Sequence, residues 1–203
     1  MNPSLHELDE ASVDRDPLRQ FLRWLEHATA VTRTPEAAAV ATATADGAPS
    51  VRMVLLKRWD EHGFVFHTNL RGRKARELAE NPRAALLLHW PELGRQVRIE
   101  GGVREVPRDE AEAYFRTRPR GAQIGAHVSR QSDPIGSRAD LDARQAELVR
   151  ELEGKDVPLP DTWGGFRVVP QSYEFWQHRD DRLHDRIRYT RTPDGWAIER
   201  LQP

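Results

Sequence analysis

Cysteine is absent from the chain. Neither a disulfide framework nor a thiolate metal site can therefore form. Net charge is nearly absent too: 31 Lys and Arg against 32 Asp and Glu leave −1. Domains that bind nucleic acid over a broad surface usually carry a basic excess, so no such surface is implied, although local basic clusters occur. No apolar run approaches the ~20 residues needed to span a bilayer. The opening MNPSLHELDEASVDRDPL is acidic and lacks an apolar segment, so it does not read as a secretory signal. The expectation is a soluble, cytoplasmic protein. Internal repeats and low-complexity tracts are also missing. What is present is core-forming bulk: six Trp and six Phe in 203 residues. A disordered chain lacks such bulk, and the length suits one domain.

Residues 1–15 read as a flexible N-terminal tail and residues 16–203 as a single domain. Asp16-Pro17 is a helix start, with Asp as N-cap and Pro at the first helical position. The helix that follows places Leu18, Phe21, Leu22 and Leu25 on one face. AAAVATAT (37–44), VRMVLLKR (51–58) and GFVFHTN (63–69) are separated by tight turns and predict a β-meander. GRKARELAE (72–80) is a helix ended by Asn81-Pro82. Residues 84–90 and 96–106 form a hairpin, and DEAEAYFRTRP another helix. RGAQIGAHVSRQSDPIGS reads as a loop. A charged helix over 139–153 precedes closing strands that turn at Pro193-Asp194-Gly195. The order is a β-rich α+β pattern, an antiparallel barrel with peripheral helices rather than alternating βαβ.

Several short stretches carry polar chemistry. In RMVLLK, Arg52, Val54 and Leu56 point one way and Met53, Leu55 and Lys57 the other; a core strand flanked by charges explains it equally. In HTNLRGRK, a strand end delivers His67 and the hydroxyl of Thr68, and Arg73 and Lys74 fall in a helix's first turn. Cations there oppose the helix dipole unless an anion sits at that terminus; solvated surface charge is the alternative. Tyr114 and Arg118 are spaced to share a helical face and suit a phosphate or carboxylate, or form a cation–π pair. Gln96 and Gln131 stand beside arginines, and Ser132 follows Gln131. Their amides can meet a heterocycle's edge, though plain surface polarity accounts for them as well. Last comes EFWQHRDDRLHDR (174–186), with two aromatics, two histidines, three arginines and three aspartates. If extended, Arg182, His184 and Arg186 share one face beside Trp176. Three potential cations there repel unless an anion or an electron-rich group lies opposite.

Taken in order, RMVLLK, HTN…GRK, GRQVRIEG, YFRTRPR…QIGAHVSRQS, WGGFRV, EFWQ, RLHDR and ERLQP resemble the pyridoxamine (pyridoxine) 5′-phosphate oxidase family from about Asp16 to Pro203. The resemblance implies an FMN-binding split β-barrel of about six main antiparallel strands, with FMN at a homodimer interface. It implies oxidation of pyridoxine 5′-phosphate or pyridoxamine 5′-phosphate to pyridoxal 5′-phosphate, with hydride passing from C4′ to flavin N5 and O2 reoxidising the flavin. By matching positions, Arg52, Met53, Val54, Leu55, Leu56, Lys57, His67, Thr68, Arg73, Lys74, Gln96, Gln131, Ser132, Trp176 and Arg186 would surround FMN. Lys57, Tyr114, Arg118 and the position of Ala122 would hold the substrate phosphate. Arg182, Leu183 and His184 would lie on the substrate, with Arg182 and His184 nearest the reacting carbon.

Two departures stand out. The family commonly has a small hydroxyl residue where this chain has Ala122. Many members also carry a basic, Arg-Tyr-containing N-terminal segment over the substrate, which MNPSLHELDEASVD lacks. Substrate closure and identity therefore stay open between the B6 oxidase and a relative of the phenazine-biosynthesis type. A flavin- or pyridoxal-phosphate-binding protein without turnover is the reading from another class, against which Arg182 and His184 speak.

Overall fold

Alternation along the strands decides what the sheet encloses. The computed structural model describes residues 8–203, and all eight strands belong to one antiparallel sheet. They are β1 (Ala37–Ala43), β2 (Pro49–Asp60), β3 (Gly63–Asn69), β4 (Arg83–Trp90), β5 (Arg95–Glu105), β6 (Trp163–Gln177), β7 (Asp185–Thr192) and β8 (Gly195–Arg200). The order is β3-β2-β1-β4-β5-β6-β7-β8, and an added β3–β6 pairing closes the first six strands into a barrel. The long strand β6 forks: its first half pairs with β3, its second half with β7, and β5 runs along both. That fork splits the barrel.

The inward residues are large and apolar. Phe64, Phe66, Leu86, Leu88, Val97, Ile99, Phe175 and Ile187 are essentially inaccessible. Helix α1 (Pro17–Thr29) packs onto this core, started as expected by the Asp16 carboxylate, which accepts from the Leu18 amide at 2.9 Å. Its buried face is Phe21, Trp24, Leu25 and Ala28, while Leu22 is 41% exposed. The expected Leu18-Phe21-Leu22-Leu25 stripe is thus rotated toward Trp24, whose ring meets Phe175 edge-on at 5.2 Å. An indole buries more area than Leu22 can.

Helices α2 (Arg73–Glu80), α3 (Arg108–Thr117), α4 (Arg120–Val128) and α5 (Arg138–Glu151) decorate the barrel. Helix α4 corrects the expected loop. Gly121 and Gly125 disfavour a helix locally, but Ile124 is buried in a second cluster with Val65, Ala111, Phe115 and Trp163. Tertiary packing overrides the propensity. Among the described residues no helix is long and apolar enough to cross a membrane.

The N-terminal tail also needs correction over residues 8–15; residues 1–7 lie outside the described residues. Leu8 and Val13 are buried. The Leu8 amide donates to Asp185, the Tyr189 hydroxyl donates to the Asp14 carbonyl, and the Arg200 guanidinium binds Glu10, Asp185 and the Leu8 carbonyl. The acidic Glu10 in this segment docks it onto Arg200.

Candidate active site

The first cluster lies where β3 runs into α2. Lys74 Nζ is 2.9 Å from Thr68 Oγ1 and 2.6 Å from Gln131 Oε1, and Thr68 donates to the same Gln131 oxygen at 2.9 Å. The Arg73 amide donates to Ser132 Oγ at 3.2 Å. Ser132 has φ +76°, an uncommon conformation for a side-chain-bearing residue. Gly72 permits the approach: a Cβ there would lie 2.7 Å from Gln131 Oε1.

Glu77, one turn into α2, was not foreseen. Its carboxylate takes hydrogen bonds from Ser50 Oγ at 2.6 Å, Thr42 Oγ1, Arg73 Nε at 2.8 Å and Arg52 at 3.4 Å. Burial alone would raise its pKa; the bonds from Ser50, Thr42 and Arg73 and the charge of Arg52 more than offset that and hold it at about 2. The signal was present as the Arg73–Glu77 i,i+4 spacing. Lys74 is buried, and burial first, then the Arg52 charge, lower its pKa, with Glu77 opposing. Three cations thus face one carboxylate at a helix N-terminus, and the excess positive charge suits an anion.

The second cluster is on the other side of β3. Successive strand residues point oppositely, so Thr68 faces the cradle and His67 faces away from it. The His67 ring stacks on Tyr114 (4.2 Å, 12°) and on Trp163 (5.1 Å, 4°). Arg118 lies 5.0 Å over the Trp163 ring. Tyr114 and Arg118 do not share a helical face as expected, because α3 ends at Thr117 and Arg118 is its extended C-cap. Trp163 gathers them instead. Arg118 NH1 and His67 Nδ1 are buried without a partner among the described residues. The His67 pKa falls to about 4, through burial first and then the charges of Arg118 and Lys57, a carbonyl bond to Gly164 opposing. Lys57 itself sits 3.6 Å from Glu36. Ala122 lies in the first turn of α4.

The third cluster is at the far end of β6. Trp176 pairs in register with Gln96 on one side and Arg186 on the other. Arg186 donates to Glu174 at 2.9 Å and to the Gln202 carbonyl at 2.8 Å. The His184 ring is 4.6 Å from Trp176. Arg182 has φ +65° and sits in a turn before β7, so Arg182, His184 and Arg186 do not form the one extended face that alternation predicts. Leu183 is 65% exposed.

The clusters are distant within one chain. Gly164 pairs with Thr68, and Trp176 is twelve residues further along the same strand, roughly 40 Å when extended. One copy cannot wrap both ends around one small molecule. The barrel's outer face meanwhile carries Val51 at 67%, Met53 at 64% and Leu55 at 43% exposure. In RMVLLK, Arg52 and Leu56 face inward, while Met53 and Leu55 belong to this exposed apolar row.

A barrel opened by a forked strand, with a cationic helix end at its rim, defines a split barrel. The same fold occurs in a pyridoxamine 5′-phosphate oxidase-related, FMN binding protein from Nostoc punctiforme, with a TM-score of 0.74 at 16% identity, covering 92% of this chain and 98% of that one. Residues 25–150 match the family profile described as pyridoxamine 5′-phosphate oxidase, and residues 163–203 match that of the pyridoxine 5′-phosphate oxidase C-terminal dimerisation region. A pyridoxine/pyridoxamine 5′-phosphate oxidase from Rubrobacter xylanophilus is 56% identical, covering 97% of this chain and 91% of its own. PhzG from Burkholderia lata, solved with tetrahydrophenazine-1-carboxylic acid, is 35% identical with a TM-score of 0.91 over 98% of both chains. The chain belongs to the pyridoxamine 5′-phosphate oxidase family.

Proposed function

We propose that this chain is an FMN-dependent oxidase that converts pyridoxine 5′-phosphate and pyridoxamine 5′-phosphate to pyridoxal 5′-phosphate, working as a homodimer in the cytoplasm. FMN, once bound, supplies the two-electron acceptor, which O2 regenerates with release of H2O2. From the amine, water supplies the aldehyde oxygen and NH3 leaves.

The cradle fits the FMN phosphate in charge and donor chemistry. Thr68, Arg73, Lys74 and Ser132 supply the donors, and Arg52 and Glu77 set the charge around them. Gln131 closes the cradle, and Gly72 keeps it open to that amide. Trp176, Arg186 and Gln96 of a second copy complete the site, because the same residues of one copy lie too far along β6. The apolar row Val51-Met53-Leu55 is where the copies would meet, since exposed apolar patches of this kind mark interaction surfaces. The dimerisation region at residues 163–203 supports this arrangement.

The observation that carries the substrate assignment is the unpartnered Arg118. A buried guanidinium nitrogen without an acceptor is costly, and it lies with Tyr114 near a second cation, Lys57. A phosphate separate from that of FMN would relieve it. Arg182 and His184 orient the pyridine's substituents at the reacting carbon.

The likeness to PhzG gives a second reading, a phenazine-type substrate at the same site. The FMN-loaded protein in air, given pyridoxine 5′-phosphate, should form pyridoxal 5′-phosphate and peroxide. Tight FMN binding without product, together with turnover of a reduced phenazine carboxylate, would replace the first reading by the second.

A further inference from the structure

The WGG motif, Trp163-Gly164-Gly165, sits at the start of β6, opposite the strand end that carries His67 and Thr68. Gly165 is the register partner of His67, and a Cβ on it would lie 2.7 Å from His67 Nδ1. Glycine therefore leaves the seat that the imidazole occupies. Trp163 lies parallel to that imidazole and also carries the Arg118 cation on its face. Tyr114 stacks on the same imidazole and lies within 6.1 Å of Trp163, tilted by 14°.

We propose that His67 is a positioning residue for the substrate phosphate: seated on Gly165 and stacked with Trp163, it fixes Tyr114 and, through Trp163, Arg118 in the geometry that receives the phosphate. This rests on the reading of Tyr114 and Arg118 as substrate-phosphate groups. It separates His67 from its sequence neighbour. Alternation along β3 gives Thr68 to the cofactor cradle and His67 to the aromatic stack, so one strand end sets two anion sites in fixed relation. The stack also has the charge state the task needs. Burial and two nearby cations keep the imidazole neutral well below physiological pH. A neutral ring can lie flat against a phenol beside Lys57 and Arg118 without adding a third charge for them to repel.

The test is steady-state kinetics of the FMN-loaded dimer with pyridoxine 5′-phosphate, alongside FMN titration followed by flavin fluorescence. His67→Ala should raise KM about threefold to tenfold, the span of one aromatic pair, with kcat and FMN affinity held. His67→Phe keeps a ring in the stack and should recover most of the lost affinity. His67→Leu fills the volume without a ring plane and should not, which preserves the comparison if the alanine variant does not fold. Added to Arg118→Ala, His67→Ala should cost less than it does alone, because the part of its effect that runs through Arg118 is already lost and only the part through Tyr114 remains. A wild-type KM in both His67→Ala and His67→Leu, or effects that multiply in the double variant, would overturn the inference. Failure of the underlying reading looks different: Arg118→Ala alone would then leave KM unchanged.

Discussion

The backbone N–H of Arg179 donates to Nδ1 of His184 across 3.0 Å. A backbone amide can only donate, so Nδ1 is the acceptor and the neutral ring carries its proton on Nε2. His184 would therefore meet a substrate as a hydrogen-bond donor, held in a turn that Arg182 closes with a left-handed backbone. His184→Ala should lower turnover roughly tenfold to a hundredfold, the worth of one hydrogen bond to a charged acceptor. Arg182→Leu should also lower it, and both variants should still bind FMN. Nitrogen-15 spectra of labelled histidine should show the Nε2–H tautomer. An Nδ1–H tautomer, or normal turnover in both variants, would contradict these roles.

The cradle at α2 makes a second, separable prediction. Arg73→Ala with Lys74→Ala removes two of the three cations that face Glu77. Each charge-assisted hydrogen bond lost is worth roughly 1.5–3 kcal/mol, so the FMN dissociation constant should rise at least about tenfold. Titration followed by flavin fluorescence measures it. Unchanged affinity would place the phosphate elsewhere.

Local rules made some of this readable and not the rest. The Asp16-Pro17 cap and the alternation of β2 are short-range, and the strands fall within a few residues of where periodicity puts them. Barrel closure depends on β3 meeting β6, about a hundred residues later in the chain, and no periodicity carries that. Helix α4 was hidden by Gly121 and Gly125, whose cost the burial of Ile124 outweighs. The docking of residues 8–15 depends on Arg200, nearly the whole chain away. For the site, the ordered motifs named candidate residues, but only the fold divides them into three clusters. Trp163 was visible merely as part of WGG. Its role in gathering His67, Tyr114 and Arg118 required knowing which strand it faces.

Two groups, the half-buried His67 and the buried Glu77, set how the fold responds to acid. The His67 pKa is lowered from 6.5 to about 4 and that of Glu77 from 4.5 to about 2. Below pH 6.5 the unfolded chain protonates His67 while the fold keeps it neutral, so stability declines as pH falls toward about 4. The stabilisation from ionised Glu77 is full above pH 4.5 and is lost as pH falls toward about 2. Urea unfolding midpoints against pH should therefore decline over two successive windows. His67→Phe should flatten the upper one. Glu77→Gln should flatten the lower one and lower stability at neutral pH by about 3 kcal/mol, since it leaves Arg52 and Arg73 without their buried counter-charge. A midpoint indifferent to pH over both windows would refute the assignment.

The outer face of β2 makes the last prediction. Val51, Met53 and Leu55 alternate with Arg52, Val54 and Leu56, and the outward set is apolar and open to solvent in the single chain. Its neighbours in register on β1 are Ala41, Ala39 and Ala37, small residues that leave a flat surface for another copy. Burying three such side chains in an interface is worth about 1.5–3 kcal/mol each. An aspartate at the centre of that face would place an unpaired charge there. Met53→Asp should therefore shift the protein from dimer to monomer in sedimentation velocity without unfolding it. Trp176 and Arg186 would then no longer reach the opposite cradle, so FMN binding should weaken with dimer loss, and raising the protein concentration should recover both together. A variant that stays dimeric would move the interface off this face. A folded monomer that still binds FMN with full affinity would show that one copy suffices, contrary to the distance along β6 between Gly164, the register partner of Thr68, and Trp176.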